Sequence, residues 1–310
     1  MKPAVQNNCL AAFACLLWAT PFVFTKITLE YLPPLTLAGL RFLVAGLIQI
    51  PFCKQSPFKL LKTETRTVVL VALFQTTLLY AGFFIALTLV RGAQAAIIIG
   101  TGPLITAIAA HFAMHDDRLS SRTLQSATLG ISGIIIISLA TKPWEPVGLN
   151  ELLGIGILLT GSVVSAIGNI VVAKKRGSLP PIELNSIQML IGGGMLFLCA
   201  LLIEGVPTLN QPPRFYGSLL WLALVSAIAI GLWFHLLSRV KVSKLNIWKF
   251  LIPLGGATLS WLFIPGEHPD LPTLFGMVLI ILGIIHSQRK TALEFENERT
   301  VAHPNADLSK

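Results

Sequence analysis

The chain has 310 residues, a length that ordinarily makes one or two soluble domains. Residues AVILMFWYC make up 54% and charged residues only 12%, about half the charge of an ordinary soluble protein, with a mean hydropathy of +0.76. A soluble fold with so few charges would expose large apolar patches, so this composition excludes large soluble domains and points to an all-α integral membrane protein.

The apolar runs are continuous rather than alternating, which favours helices over a barrel. In chain order they predict ten spans near 9–30, 35–53, 68–89, 93–113, 123–141, 151–173, 185–204, 216–238, 245–264 and 271–287. The first two are divided at Tyr31-Leu32-Pro33-Pro34, where the prolines disfavour helix before them. The first run is longer than a signal-peptide core and no small-residue cleavage site follows it, so it reads as a retained helix. Residues 1–8 read as a short N-terminal segment and 288–310 as a polar cytoplasmic tail.

Lys and Arg set the orientation. With the N-terminus cytoplasmic, the inner segments hold Lys2, then Lys54, Lys59, Lys62 and Arg66, then Arg118 and Arg122, and then Lys174, Lys175 and Arg176. They continue with Arg239, Lys241, Lys244 and Lys249, and end with Arg289, Lys290, Arg299 and Lys310, giving 18 of the 23 basic residues. Arg91, Lys142 and Arg214 fall outside, while Lys26 and Arg41 lie within spans. Both termini are therefore expected on the cytoplasmic side of the membrane, and the net charge of +9 marks its inner face. Anionic lipid is the expected partner of those loops. Scattered over short loops, the charges do not make a nucleic-acid surface. Cys9, Cys15, Cys53 and Cys199 form neither a CxxC pair nor a zinc spacing, and read as small packing residues.

The chain also repeats itself. At a shift of 150, Pro103 falls on Pro253, Asp117 on Glu267, Thr123 on Thr273 and Gly133 on Gly283. At a shift of 147, Pro33-Pro34 falls on Pro180-Pro181, Leu43 on Leu190 and Gly46 on Gly193. The two halves, 9–141 and 151–287, hold five predicted spans each. Five is odd, so the second half enters the membrane from the opposite side. Equivalent loops carry opposite charge, as inversion demands. Inverted repeats of this kind are a common architecture of secondary transporters, with the solute site at the repeat interface.

Leu17-Trp18-Ala19-Thr20-Pro21-Phe22, Lys26, Pro33-Pro34 and Leu40-Arg41-Phe42 follow one another in the first half. Ala93-Gln94-Ala95-Ala96 leads to Gly102-Pro103-Leu104, and Pro253-Leu254, Gly266-Glu267, Gly276 and Gly283 complete the series. In this order and spacing the chain resembles the EamA-type ten-helix exporters of the drug/metabolite transporter superfamily over residues 9–288. It departs from them in Ala19, where glycine is usual, and in His115-Asp116-Asp117, where a Gly-Glu pair is common. The resemblance implies two EamA-like repeats, export of small metabolites such as amino acids, and no ATP hydrolysis. It also implies an energy source in the proton gradient or in exchange.

Candidate residues for the solute path follow from interruptions, polar faces and intramembrane charges. Gly100, Gly102 and Pro103 interrupt the fourth span, and Pro253, Gly255 and Gly256 the ninth. Such breaks either line a cavity or serve as packing kinks. Ser162, Ser165 and Asn169 share one face of the sixth span, and Thr76 and Tyr80 share a face of the third beside Gln75. These groups either meet solute or hydrogen-bond between helices. Trp18 pairs with Phe22 at i, i+4 on the first span, and Thr76 corresponds to Ser226 on the helix that carries Trp233. Each tryptophan is a cavity wall or core packing.

Lys26 either pairs with Glu30 or snorkels outward, or serves function; Arg41 either bonds carbonyls at the first corner or attracts an anion. His235 reads as an interfacial histidine that titrates near neutrality. No carboxylate sits mid-span, and Asp117 and Glu267 read as caps or loop partners. The solute expected is small and amphipathic, with no cofactor and no metal, in a monomer or homodimer. An intramembrane enzyme would need HExxH, GxSxG or paired acids, and none is present. A channel or scaffold is the remaining alternative.

Overall fold

The structure is a computed structural model, and it describes residues 3–90, 92–140, 148–208, 210–263 and 270–288. The helices of the first half are α1 (Pro3–Ala19), α2 (Pro21–Thr28), α3 (Pro34–Gln49), α4 (Pro57–Thr63), α5 (Thr65–Ala72), α6 (Leu78–Leu87), α7 (Gly92–Gly100), α8 (Gly102–Ala113) and α9 (Ser121–Ala140). The second half carries α10 (Leu149–Lys174), α11 (Pro181–Ile203), α12 (Pro213–Leu237), α13 (Val242–Asn246), α14 (Leu251–Phe263) and α15 (Leu271–Gln288). A π turn, Leu73–Thr77, joins α5 to α6, and a 3₁₀ turn, Ile247–Phe250, joins α13 to α14. No strand occurs among the described residues.

Among the described residues eight helices are long and apolar enough to cross a membrane: Pro34–Phe52, Thr65–Leu87, Ala95–Ala113, Ser121–Leu139, Leu149–Lys174, Pro181–Ile203, Pro213–Leu237 and Leu271–Gln288. The first and ninth predicted spans are not continuous helices. Pro21 opens a new helix, and the Thr20 hydroxyl turns back to the Leu17 carbonyl at 2.9 Å. The ninth is divided by its 3₁₀ turn, just ahead of Pro253. Proline cannot donate to the i−4 carbonyl and crowds it, so the turn before it tightens.

Packing is led by two close helix pairs, α3 with α11 and α9 with α15. Helices without a hydrophobic drive between them approach through small residues. A Cβ on Gly46 would stand 2.8 Å from Leu190 Cγ, and one on Gly193 would stand 2.8 Å from the Leu43 nitrogen. A Cβ on Gly276 would stand 2.6 Å from the Gly133 carbonyl, and one on Gly283 would stand 2.8 Å from the Ser126 carbonyl. These glycines therefore pack within the chain. Around the pairs, α1 packs on α12 and α14, and α10 packs on α6, α7 and α8. The largest core cluster, with Phe42, Leu184, Met189, Trp233 and Phe234, draws on both halves.

Loops bearing most of the basic residues meet at one end of the bundle. Lys175 Nζ pairs with Glu64 at 2.9 Å and Arg176 Nη1 with Asp116 at 2.7 Å. Gly177, with φ of 75°, makes the turn after α10 that presents these two side chains. Arg176 also donates to the carbonyls of Leu237 and Val240, each at 3.0 Å, at the end of α12. Asp117, fully buried, accepts from the Ser243 amide at 3.0 Å and from the Ser243 hydroxyl, capping α13. At the opposite end Glu204 accepts from the amides of Leu35 and Thr36, at 2.9 and 2.8 Å, and caps α3.

Candidate functional site

The interior between the halves is polar, and the π turn is one cause. A regular helix would spread Gln75, Thr76 and Thr77 over most of its circumference. The π turn lets all three be buried. Such turns frequently sit at functional sites. The expected face of Thr76 and Tyr80 is thus wider than an i, i+4 pair.

Gln75 Nε2 donates to Asn169 Oδ1 at 3.0 Å, and Trp233 Nε1 donates to the same oxygen at 3.2 Å. Asn169 Nδ2 reaches Asn246 Oδ1 at 3.5 Å, and Asn246 in turn donates to the Val242 carbonyl at 2.9 Å. Asn169 and Asn246 are completely buried, so every one of these bonds replaces water. The oxygen of Asn169 collects donors from two other helices, which locks its amide orientation. Trp18 packs against Trp233 with ring centroids 5.0 Å apart and the planes tilted by 57°. Trp18 therefore meets an aromatic across the halves; the Phe22 side chain, its expected helical neighbour, lies outside the described residues.

A second chain of bonds runs beside the first. The Thr76 hydroxyl donates to Gln188 Oε1 at 2.7 Å, and Gln188 Nε2 donates to Asn185 Oδ1 at 3.0 Å. Asn185 Nδ2 donates to Gln49 Oε1 at 2.9 Å and to the Ala227 carbonyl at 3.1 Å. Arg41 Nε donates to the Ser226 hydroxyl at 2.7 Å, and its guanidinium lies 5.3 Å from the Phe42 ring centre and 5.9 Å from that of Tyr80. Tyr80 and Phe42 meet edge to face at 4.5 Å. The partners of Arg41 are thus a hydroxyl on α12 and two aromatic faces rather than carbonyls at the first corner. Delocalised charge and weak hydration suit guanidinium to that setting.

Lys249 differs from the sequence expectation most. It is not a loop charge. The 3₁₀ turn carries it into the bundle, where Nζ lies 5.1 Å from the centre of the Trp233 ring. No hydrogen bond or ion pair to Nζ is found among the described residues. Its position inside the predicted ninth span was the available signal, since an orientation count treats every lysine near a span end alike. Gln188 also had a signal, because it is the repeat counterpart of Arg41. Asn185 and Gln49 had none beyond being amides in apolar runs.

The remaining candidates stand apart from these bonds. Ser165 is half-buried; Ser162 donates to its own helix at the Leu158 carbonyl, 3.2 Å away. Gly102 faces Ser162, with 3.8 Å from a built Cβ to the hydroxyl, and Pro103 is buried at the start of α8. Thr101, between α7 and α8, caps the Ile98 carbonyl with its hydroxyl at 2.7 Å. Pro253 is half-buried in the first turn of α14. Gly100 and Gly255 have packing reasons: a Cβ would meet Ile134 Cδ1 at 2.5 Å and Ala19 Cβ at 2.6 Å. Lys26 lies on α2, and its side chain is outside the described residues, as is all of Glu267. A surface groove of about 690 Å³ between α9 and α15, lined by Leu124, Thr128, Leu282 and Ile285 among others, shares no residue with the polar network. Among the described residues no group of three or more His, Cys, Asp or Glu could hold a metal ion.

At the basic end, Lys175 holds the Glu64 carboxyl below the usual carboxylate range by hydrogen bonding, helped by the Thr67 hydroxyl. Glu64 and Asp116 belong to the first half, while Lys175 and Arg176 follow the first helix of the second. These pairs therefore tie the two halves together where the basic loops converge.

Comparison with known proteins adds an independent line. The model of the EamA-like transporter family matches residues 7–139 and 152–287. The uncharacterized transporter YvbV of Bacillus subtilis is 27% identical over 91% of this chain and 91% of its own. The "Probable amino-acid metabolite efflux pump" of Salmonella typhimurium is 26% identical over 90% of this chain and 93% of its own. The inner membrane transporter YedA of Escherichia coli is 27% identical over 86% and 88%. One solved crystal structure superposes with a TM-score of 0.77 at 18% identity, covering 91% of this chain and 98% of that one, and shares the fold.

Proposed function

The chain belongs to the EamA-like transporter family of the drug/metabolite transporter superfamily, and from that premise we propose that it exports small amphipathic metabolites across the cytoplasmic membrane by alternating access. The solute class is amino acids or related compounds, as the name of the Salmonella relative suggests for that protein. The observation that carries this reading is the buried polar and aromatic network of Gln75, Asn169, Trp233 and Trp18, supplied by both halves of the chain. A membrane scaffold has no use for so many interior amides, which hydrocarbon-facing packing alone would replace with apolar side chains.

The proposed architecture is ten spans in two inverted five-helix repeats, the broken first and ninth spans included. Crosswise pairing supports it. Arg41 and Gln188 are repeat counterparts, as are Thr76 and Ser226. Arg41 bonds Ser226, and Gln188 bonds Thr76. Each half thus gives its second-span polar group to the third span of the other. Gly46 against Leu190 and Gly193 against Leu43 repeat the same exchange. In this reading the basic end is cytoplasmic, with both termini there and anionic lipid around it. The Lys175–Glu64 and Arg176–Asp116 pairs then close the cytoplasmic side. One half rocks against the other, and those pairs break when the inner side opens. A proton gradient or solute exchange supplies the energy.

A tolerance screen tests the function. Cells overexpressing the protein are challenged with inhibitory concentrations of individual amino acids and metabolites. The proposal expects at least one to become tolerated, and tolerance to be lost in Asn169→Leu at equal membrane abundance. A panel with no gain in tolerance, or tolerance indifferent to Asn169, contradicts it.

A further inference from the structure

Lys249 is a half-buried cation with an aromatic face beneath it and, among the described residues, no carboxylate paired with it. Placing a lysine within a membrane-spanning bundle is costly. A cation over an aromatic ring recovers only part of that cost. The arrangement at 5.1 Å from Trp233 is therefore left short of a counter-charge. Nor does the fold require the charge. The repeat counterpart of Lys249 is Ile99, that of Trp233 is Phe83, and that of Asn246 is Ala96. Equivalent space in the first half is thus filled by apolar residues.

The polar groups of the second half converge around the lysine. Trp233 links it to Asn169 through the indole N–H, and Asn246 lies one helical turn before it and within reach of Asn169. Trp18, half-buried, packs at a tilt against the same Trp233 ring and offers a second apolar wall.

We propose that the Lys249 ammonium is the anchor for a carboxylate on the transported solute, with Trp18 and Trp233 receiving its apolar portion. The inference rests on the transporter reading above. A single ammonium with neighbouring amides matches one negative charge. Phosphate is more often met by forked guanidinium groups, and Arg41, the nearest in kind, is committed to Ser226. A carboxylate arriving over Lys249 supplies the missing counter-charge, so binding and desolvation favour the acid over its neutral amide. Amino acids and simple organic acids both satisfy this; cationic amines do not.

The test compares acids with their amides on purified full-length protein. Phenylalanine and phenylalaninamide, leucine and leucinamide, and 3-phenylpropionate and its amide are titrated by tryptophan quenching and ligand-induced thermal stabilisation. In wild type at least one acid should half-saturate at a concentration tenfold or more below its amide. Lys249→Met should erase that ratio, and Lys249→Arg should keep it. The wild-type acid-to-amide ratio stands as a test even if Lys249→Met does not fold. Wild type that favours no acid, or Lys249→Met that keeps the tenfold ratio, overturns the proposal. Proteoliposomes loaded with a labelled metabolite extract separate the two readings. Wild type that releases metabolites without preferring acids removes the role of Lys249 alone, and wild type that releases nothing removes the transporter reading.

Discussion

Gly276→Ala and Gly156→Ala introduce the same methyl group into two helices, and the structure assigns them opposite signs. On α15, a Cβ at position 276 would stand 2.6 Å from the Gly133 carbonyl oxygen and 2.7 Å from Ile137 Cγ1. Carbon and carbonyl oxygen rest at ~3.3 Å or more, so the gap is short by roughly 0.7 Å. The Gly133 oxygen is backbone and cannot rotate away. The α9–α15 pair must separate or its side chains must leave their rotamers, which costs about 1–3 kcal/mol. On α10, a Cβ at position 156 would meet nothing within 4 Å. There the substitution removes unfolded-state freedom and gains about 0.5–1 kcal/mol. Thermal unfolding of both variants in one detergent, read by size-exclusion recovery, checks this. At about 2–4 °C per kcal/mol, Gly276→Ala should melt roughly 2–12 °C below wild type and Gly156→Ala slightly above it. Gly276→Ala melting with wild type, or both variants rising together, would refute the close packing of α9 on α15.

Other substitutions follow from the hydrogen bonds. Asn169→Leu leaves the Gln75 and Trp233 donors without their shared acceptor; it should cost about 1–3 kcal/mol of stability in the same melting assay, while Asn169→Asp, which still accepts from both, should cost less. Ser226→Ala and Thr76→Val remove equivalent hydroxyls from the two crosswise pairs, and each should cost about 0.6–1.7 kcal/mol; a large loss in one and none in the other would count against the two-fold relation. Glu64 titrates below the usual carboxylate range because Lys175 holds it, so its contribution is present above the ordinary glutamate pKa and fades as pH falls through the lowered one. Hydrogen exchange of residues 174–178, corrected for intrinsic rates, should therefore rise on acidification in wild type and be already raised and flat in Glu64→Gln; identical profiles would show that the pair does not hold this turn.

Much of the framework was legible because membranes leave few choices. Apolar runs, the bias of Lys and Arg, and Gly and Pro positions repeated at fixed shifts all reflect constraints that act along the chain. Pro33-Pro34, Gly133 and Gly283 could be read this way. The polar candidates were legible in part: Gln75, Asn169 and Trp233 do meet, because buried amides and indoles must find partners. What escaped were features set by breaks in helical register. The π turn widened the inward face around Thr76, the Thr20-Pro21 break redirected the chain after Trp18, and the 3₁₀ turn set Lys249, half-buried, over the Trp233 ring. Periodicity assumes an unbroken helix, so it fails at such positions, and these are where polar groups gather.

Alternating access itself is tested most directly at the basic end. Cysteines replace Glu64 and Lys175, which pair at 2.9 Å, in a chain whose Cys9, Cys15, Cys53 and Cys199 are changed to Ala. A cleavable bis-methanethiosulfonate linker then joins the two positions in proteoliposomes, and efflux of a metabolite identified by the tolerance screen is measured. The account predicts that complete cross-linking stops efflux and that reductive cleavage restores it. Undiminished efflux through a fully cross-linked protein would contradict it.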